Sequence, residues 1–192
     1  NNESLLRYYG GVAYGQEQHR DYEGALATYR QMLQVDTNNH LASQKLGYIY
    51  MQLKNTTSAI QYLNFAIKLD SQDSVSYLNR GWLYYKQKEY DAAIADFTQA
   101  IRINPRYISA YTNRALAYTD TGNYLAALAD WQQCLTLVIP RDKGEFYRLI
   151  GQTELLAKNK SGACSAFQEA LQWGDTPAAE REIRRLMKEN CR

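Results

Sequence analysis

Alanine recurs at residues 25, 59, 93 and 127, a spacing of 34 each time, and once more at 163 after a spacing of 36. A period of that length marks a chain built from one small unit stacked on copies of itself, and it constrains the fold more than any local pattern. Two further columns keep the beat. A small residue stands at Ala13, Gly47, Gly81, Ala115 and Gly151, and a bulky one at Tyr29, Leu63, Phe97, Trp131 and Phe167. All three columns place an insertion of two residues (36 − 34 = 2) ahead of the fifth unit.

The spacing inside each unit predicts two helices and a turn. In the third unit Tyr77, Gly81, Tyr84 and Tyr85 fall on one face of a first helix. Ala93, Ile94, Phe97, Ala100 and Ile101 fall on one face of a second. Lys88-Glu89-Tyr90-Asp91 supplies a polar turn between them. Asn104-Pro105 closes the unit, because proline disfavours helix at the residue before it. The Gly/Ala column suits a close helix crossing, where only a small side chain lets two backbones approach. The bulky column then fills the remaining space, since interiors pack to crystal-like density.

This pattern resembles the tetratricopeptide repeat family. The third unit carries Tyr77, Gly81, Tyr84, Ala93, Phe97, Ala100 and Pro105, with Arg80 where the family usually has leucine. The fourth carries Tyr111, Ala115, Tyr118, Ala127 and Trp131, with Cys134 in place of the third small residue. The second carries Leu46, Gly47, Tyr50, Ala59, Leu63 and Ala66, and the outer two units are more degenerate. The resemblance implies an all-α fold: an α-solenoid, wound as a right-handed superhelix, of five helix-turn-helix repeats plus a C-terminal capping helix. The repeats read as 6–39, 40–73, 74–107, 108–141 and 144–177, with the cap at 178–190, in a single domain over 1–192. Thr176-Pro177 supplies the start signal of the cap, as N-cap and first helical residue.

Composition excludes several classes of function. Formal net charge is +2 with no block of like charges, which leaves no electrostatic footprint for nucleic acid. No run of about 18 apolar residues is present to span a bilayer. The two histidines, His19 and His40, read as surface turn residues and belong to no metal-binding spacing. Carboxylates look scattered over solvent faces, and no nucleophile or phosphate-loop motif occurs. Neither an enzyme nor a cofactor is expected.

A second ladder carries the functional reading. Tyr14, Tyr48, Trp82 and Leu116 are again 34 apart, on a face of the first helices distinct from the Gly/Ala column. By resemblance that face lines the concave groove, with Gln44, Met51, Leu78, Asn79, Tyr85, Thr112, Asn113, Arg148 and Gln152 as neighbouring candidates. Asparagine amides at 79 and 113 suit hydrogen bonding to a peptide backbone. Trp and Tyr are enriched at recognition hot spots. These residues therefore point to a non-enzymatic protein-interaction scaffold that takes a partner peptide or helix. Two alternatives stay open: the aromatics only pack helix on helix, or they stack on glycan or peptidoglycan rings. The lysine and arginine of the family's carboxylate clamp are missing from Gln44, Tyr48, Asn79, Ser109 and Asn113, which disfavours chaperone C-terminal tails as partners.

Three cysteines remain. Cys134 replaces a small core residue and reads as a buried thiol. Cys164 occupies the position of Leu26, Ile60, Ile94 and Leu128, which suggests core. An antiparallel cap would nevertheless return Cys191 toward it, making a Cys164–Cys191 disulfide geometrically feasible. The C-terminal end also resembles tetratricopeptide proteins of Bacteroidota, many of them exported, and that leans the compartment toward an oxidising one. The opening Asn1-Asn2 carries no methionine, so an upstream signal or anchor is left open.

Overall fold

A computed structural model describes residues 1–191, in which short turns join helices and no strand occurs among the described residues. The helices gather into two compact units, 1–104 and 105 onward. The first contains α1 (Asn2–Gln18), α2 (Tyr22–Val35), α3 (His40–Gln52), α4 (Thr56–Leu69), α5 (Ser74–Lys86) and α6 (Tyr90–Ile103). The second contains α7 (Ile108–Asp120), α8 (Tyr124–Leu137), α9 (Lys143–Leu156), α10 (Lys160–Trp173) and α11 (Pro177–Asn190). The inserted residues form a 3₁₀ turn, Pro140–Asp142, between α8 and α9.

Each first helix ends in the same way. The amide of the third residue past the helix bonds back over five residues: Asp21 to Gln16, Asn55 to Tyr50, Glu89 to Tyr84, Asn123 to Tyr118 and Asn159 to Glu154, all at 2.8–2.9 Å. That closure needs a left-handed residue just before it. Arg20, Lys54, Lys88, Gly122 and Lys158 supply it, with φ between 58° and 77°. Only Gly122 does so without the steric cost of a Cβ. The next residue then caps the second helix: Asp21, Asn55, Asn123 and Asn159 each accept from the amide three residues on, whereas Glu89 makes no such bond.

Within a pair the small column fixes how closely the helices cross. A Cβ added to Gly47 would lie 2.6 Å from Leu63, one on Gly81 2.8 Å from Phe97, and one on Gly151 2.5 Å from Phe167. The bulky column of the second helix therefore seats directly on backbone. Ala13 and Ala115 hold the same column with a methyl, fully buried beside Tyr29 and Trp131.

Arg80, the departure from leucine, has a partner. Its guanidinium grips Asp96 through two bonds of 2.8 and 2.6 Å and stands over the rings of Tyr77 and Tyr84. Arg114 repeats the arrangement with Asp130 at 2.8 and 2.7 Å and with Tyr111 and Tyr118. The bidentate bond to Asp96 holds Arg80 even more firmly protonated than usual, against the opposing effect of burial. Asp96 and Asp130 are buried, so the expectation that carboxylates lie on solvent faces is wrong for both. A matched guanidinium one helix away makes burial tolerable.

The last helix lies against α10. Thr176 caps it by accepting from Ala179, Ile183 is fully buried, and Leu186 and Met187 pack into the cluster around Phe167. Cys191 is joined to Cys164 with Cα atoms 5.8 Å apart. Cys134 is free and buried, and burial pushes its thiol up to about 11.

Three measurements test this packing. Gly81→Leu should lower unfolding free energy by about 1–3 kcal/mol or more, because overpacking a backbone contact forces helix shifts. Gly122→Ala should cost about 1 kcal/mol from its positive φ, while Lys88→Gly should cost nothing. Unchanged denaturant midpoints for Gly81→Leu would show that the small column is not a contact. Reducing the disulfide, which closes a separation of 27 residues, should remove about 3.5 kcal/mol by chain entropy.

Candidate functional site

The first helices of the 1–104 unit bring residues from three repeats to one pocket. Its volume is about 260 Å³, and Glu17 of α1, Gln44, Lys45 and Tyr48 of α3, and Val75 and Asn79 of α5 line it. Positions 45 and 79 differ by one period (79 − 45 = 34), so stacking in register aligns them on successive helices.

Hydrogen bonds hold most of the lining in place. Lys45 Nζ lies 2.9 Å from Glu17 Oε2, and the Tyr29 hydroxyl donates to the other Glu17 oxygen. Burial, followed by that bond and the Glu17 charge, pushes the Tyr29 hydroxyl far above the usual phenol range. The Gln44 amide donates to Asp73 at 2.8 Å. Asp73 also caps α5 through the amides of Val75 and Ser76 at 3.0 and 3.1 Å, and it accepts from the Ser76 hydroxyl. His40 Nε2 approaches it at 2.9 Å. Burial alone would raise the Asp73 carboxyl, but the bonds from Ser76, Gln44 and His40 more than offset it, and its pKa is lowered.

Two lining groups remain available. Asn79 has no hydrogen-bond partner among the described residues, so its amide offers both a donor and an acceptor to the pocket. Val75 is 39% exposed and forms an apolar wall. Tyr48 packs one side against the core while facing the pocket, and burial raises its phenol above the ordinary value.

The remaining ladder positions differ among themselves. Trp82 stacks on Tyr85 with centroids 5.4 Å apart and carries the Lys86 ammonium over its ring, while Tyr85 meets Tyr90 edge-on. Tyr14 is 62% exposed, Met51 packs on the core and Leu78 is half-buried. In the second unit Leu116 packs against the cluster around Trp131, and Thr112 lies 3.8 Å from the Cys134 sulfur. Asn113 is half-buried and has no partner among the described residues. Arg148 is drawn to Asp175 at 2.7 Å with both side chains largely buried, and Gln152 reaches Glu182 of α11. Each therefore has a partner within the second unit.

Sequence reasoning missed Glu17, Lys45 and Val75. The period held the signal for Lys45, one step back from Asn79 and Asn113. A basic residue thus does stand beside the groove, although its charge is spent on Glu17. His40 and Asp73 are corrections too. His40 opens α3 and ties it to the α5 cap, and Asp73 is buried. Among the described residues no three His, Cys, Asp or Glu side chains group to hold a metal ion, and no helix is long and apolar enough to cross a membrane.

Tetratricopeptide repeat models match residues 17–78, 74–107 and 108–138. The chain belongs to the tetratricopeptide repeat family, and its fold is the all-α solenoid of helix-turn-helix repeats that this family builds. A crystal structure of MamA is similar at 26% identity, covering 84% of this chain and 94% of that one, with a TM-score of 0.77. A structure of YrrB, described as a TPR protein with an unusual peptide-binding site, is 16% identical over 92% of this chain and 90% of that one, with a TM-score of 0.77. Pseudomonas aeruginosa pilF is 19% identical over 97% and 85%, with a TM-score of 0.80. These last two share the fold alone. No curated protein matches the chain.

The Asp73 network gives a pH test. Its folded carboxyl titrates below the unfolded value of about 3.9, so its contribution is complete above that value and fades as pH falls through the folded one. Asp73→Ala should cost about 2 kcal/mol at neutral pH, from a lost cap and orphaned donors. The gap in urea midpoint between mutant and parent should narrow as pH approaches 3. A gap independent of pH would assign the cost to packing alone.

Proposed function

We propose that the chain is a non-enzymatic protein-interaction scaffold whose 1–104 unit holds an extended segment of another protein across α1, α3 and α5. The observation that carries this reading is the unpaired Asn79 amide in a pocket whose other polar groups are already tied to one another. A peptide backbone offers one acceptor and one donor per residue, which matches such an amide. Val75 and Tyr48 supply apolar contact beside it, and the exposed Leu41, one period before Val75 (75 − 41 = 34), extends that contact along α3.

Glycan recognition fits less well. A sugar ring needs an open aromatic face, and Trp82 already contacts Tyr85 and Lys86 within its own chain. The disfavoured status of chaperone tails rests on the same site, since Lys45 is the basic lining residue and is engaged by Glu17.

Selection from a displayed random-peptide library, followed by calorimetry, tests the proposal. Tyr48→Ala should weaken selected peptides by about 2 kcal/mol, as truncation of a central aromatic does, with Asn79→Ala somewhat less and Lys88→Ala without effect. Trp82→Ala should be assayed beside Phe97→Ala for thermal stability, because the stacked Trp82 also packs. Peptides that bind Tyr48→Ala and Asn79→Ala as well as the parent, or exclusive binding of peptidoglycan fragments, would overturn it.

A further inference from the structure

Two exposed apolar residues mark a fixed spacing within the 1–104 unit. Leu41 and Val75 are one period apart (75 − 41 = 34), 48% and 39% exposed, in the first turns of α3 and α5. These two helices touch directly. Stacking in register sets equivalent residues one helix spacing apart, and packed helices have axes about 8–10 Å apart. One turn further along α5, Asn79 shares the face of Val75 (79 − 75 = 4), with an amide that has no partner among the described residues. A segment bound here must meet two conditions. Its apolar side chains must recur at the helix spacing, and its backbone groups beside them must be open.

The regular conformations differ on both. A β-strand returns a side chain to one side every second residue, about 6.6–6.8 Å, which is too short, and twice that is too long. An α-helix brings one back after seven residues, about 10.5 Å, which is nearer. Its backbone bonds are satisfied internally, however, and Asn79 would stay without a partner. Polyproline II turns once in three residues of about 3.1 Å, so positions i and i + 3 stand about 9.3 Å apart on one edge. Its backbone makes no internal hydrogen bonds. Of the three, it alone meets both conditions.

Resting on the peptide-binding reading of this pocket, we infer that the partner segment is a polyproline II helix with apolar side chains at i and i + 3, one against Leu41 and the other against Val75, and a backbone carbonyl accepting from the Asn79 amide. Proline fixes this conformation in advance, which lowers the entropy lost on docking. The Asn79 oxygen can take an N–H only from a residue other than proline, so the segment is proline-rich but mixed. Tyr48 flanks the two anchors, and aromatic-lined grooves are a recurring platform for such segments. Charge agrees. Glu17 and Lys45 neutralise each other at 2.9 Å, so the lining presents no unpaired ion. An uncharged segment rich in carbonyls is its electrostatic complement, and affinity should change little with salt.

Calorimetric titration of the chain with short proline-host peptides supplies the test. Two leucines are placed at i and i + 3 or at i and i + 2, and a serine-host peptide repeats the i, i + 3 spacing without the fixed conformation. The i, i + 3 proline host should bind at least about tenfold tighter than either of the others. Leu41→Ser and Val75→Ser should each weaken it about fivefold or more, with melting temperature nearly unchanged because both side chains are exposed. Peptides selected from a random library should be enriched in proline. Suppose selected peptides depend on Tyr48 and Asn79, yet proline hosts fail to bind, the two leucine spacings bind alike, or the serine host matches the proline host. Any of these results overturns the polyproline II inference and leaves the peptide site standing. If no peptide depends on Tyr48 or Asn79, both fall together.

Discussion

A helix pair of this kind has apolar surface on more than one side and covers only the side between its own two helices. Everything else in the molecule depends on that shortfall. The small column, Ala13 through Gly151, settles the inner side by seating Leu63, Phe97 and Phe167 almost on backbone. The neighbouring repeat covers another side, as α2 does for α3 and α4 for α5, which is why Ala42 and Ser76 are fully buried. Beyond α10, α11 packs in the corresponding place, with Ile183 buried and a covalent tie from Cys191 to Cys164. On α1, Leu5 and Tyr8 are exposed.

Polar groups inside such a stack need partners at the same period, and the Arg–Asp pairs show how this is met. Arg80 with Asp96 and Arg114 with Asp130 are each separated by 16 residues and repeat after 34. Each guanidinium is further held over two tyrosine rings, one at i − 3 and one at i + 4, where a helix places its neighbours. Replacing leucine by arginine here therefore exchanges apolar filling for a fixed angle between the two helices. Such a pair contributes little net stability when desolvation is counted, but loss of either member would strand a buried charge.

The helix pairs and the cap were legible because periodicity reports burial directly: a column that tolerates only Gly or Ala has one physical explanation. The pocket was half legible. Gln44, Tyr48 and Asn79 lay in the ladder or beside it, whereas Glu17 and Val75 stand elsewhere on α1 and α5 and carry no type-specific signal. The partner of Arg148 was hidden for a related reason. Its register matches Thr112 only when the two-residue insertion is counted, and its partner Asp175 lies in the turn before α11, at a position where the earlier repeats hold no aspartate. His40 and Asp73 were obscured because a turn residue looks the same in sequence whether it faces water or bridges two repeats.

Five successive residues of α5 show how one helix serves each demand in turn. Asn79 faces the pocket, Arg80 grips Asp96, Gly81 meets Phe97, Trp82 stacks on Tyr85 and Leu83 enters the core. A rotation of about 100° per residue is enough to separate these roles. The same segment explains why a site on it is precise. Arg80 and Gly81 fix the rotation of α5 on α6, and Asp73 fixes its start, so Asn79 has no freedom to swing with the backbone. In the proposed binding mode, a partner would meet a lining already ordered by bonds among Glu17, Lys45, Gln44 and Asp73. Little ordering entropy would then be lost on association, and what contact Tyr48, Val75 and Asn79 offer would appear as affinity instead of being spent on organising the site.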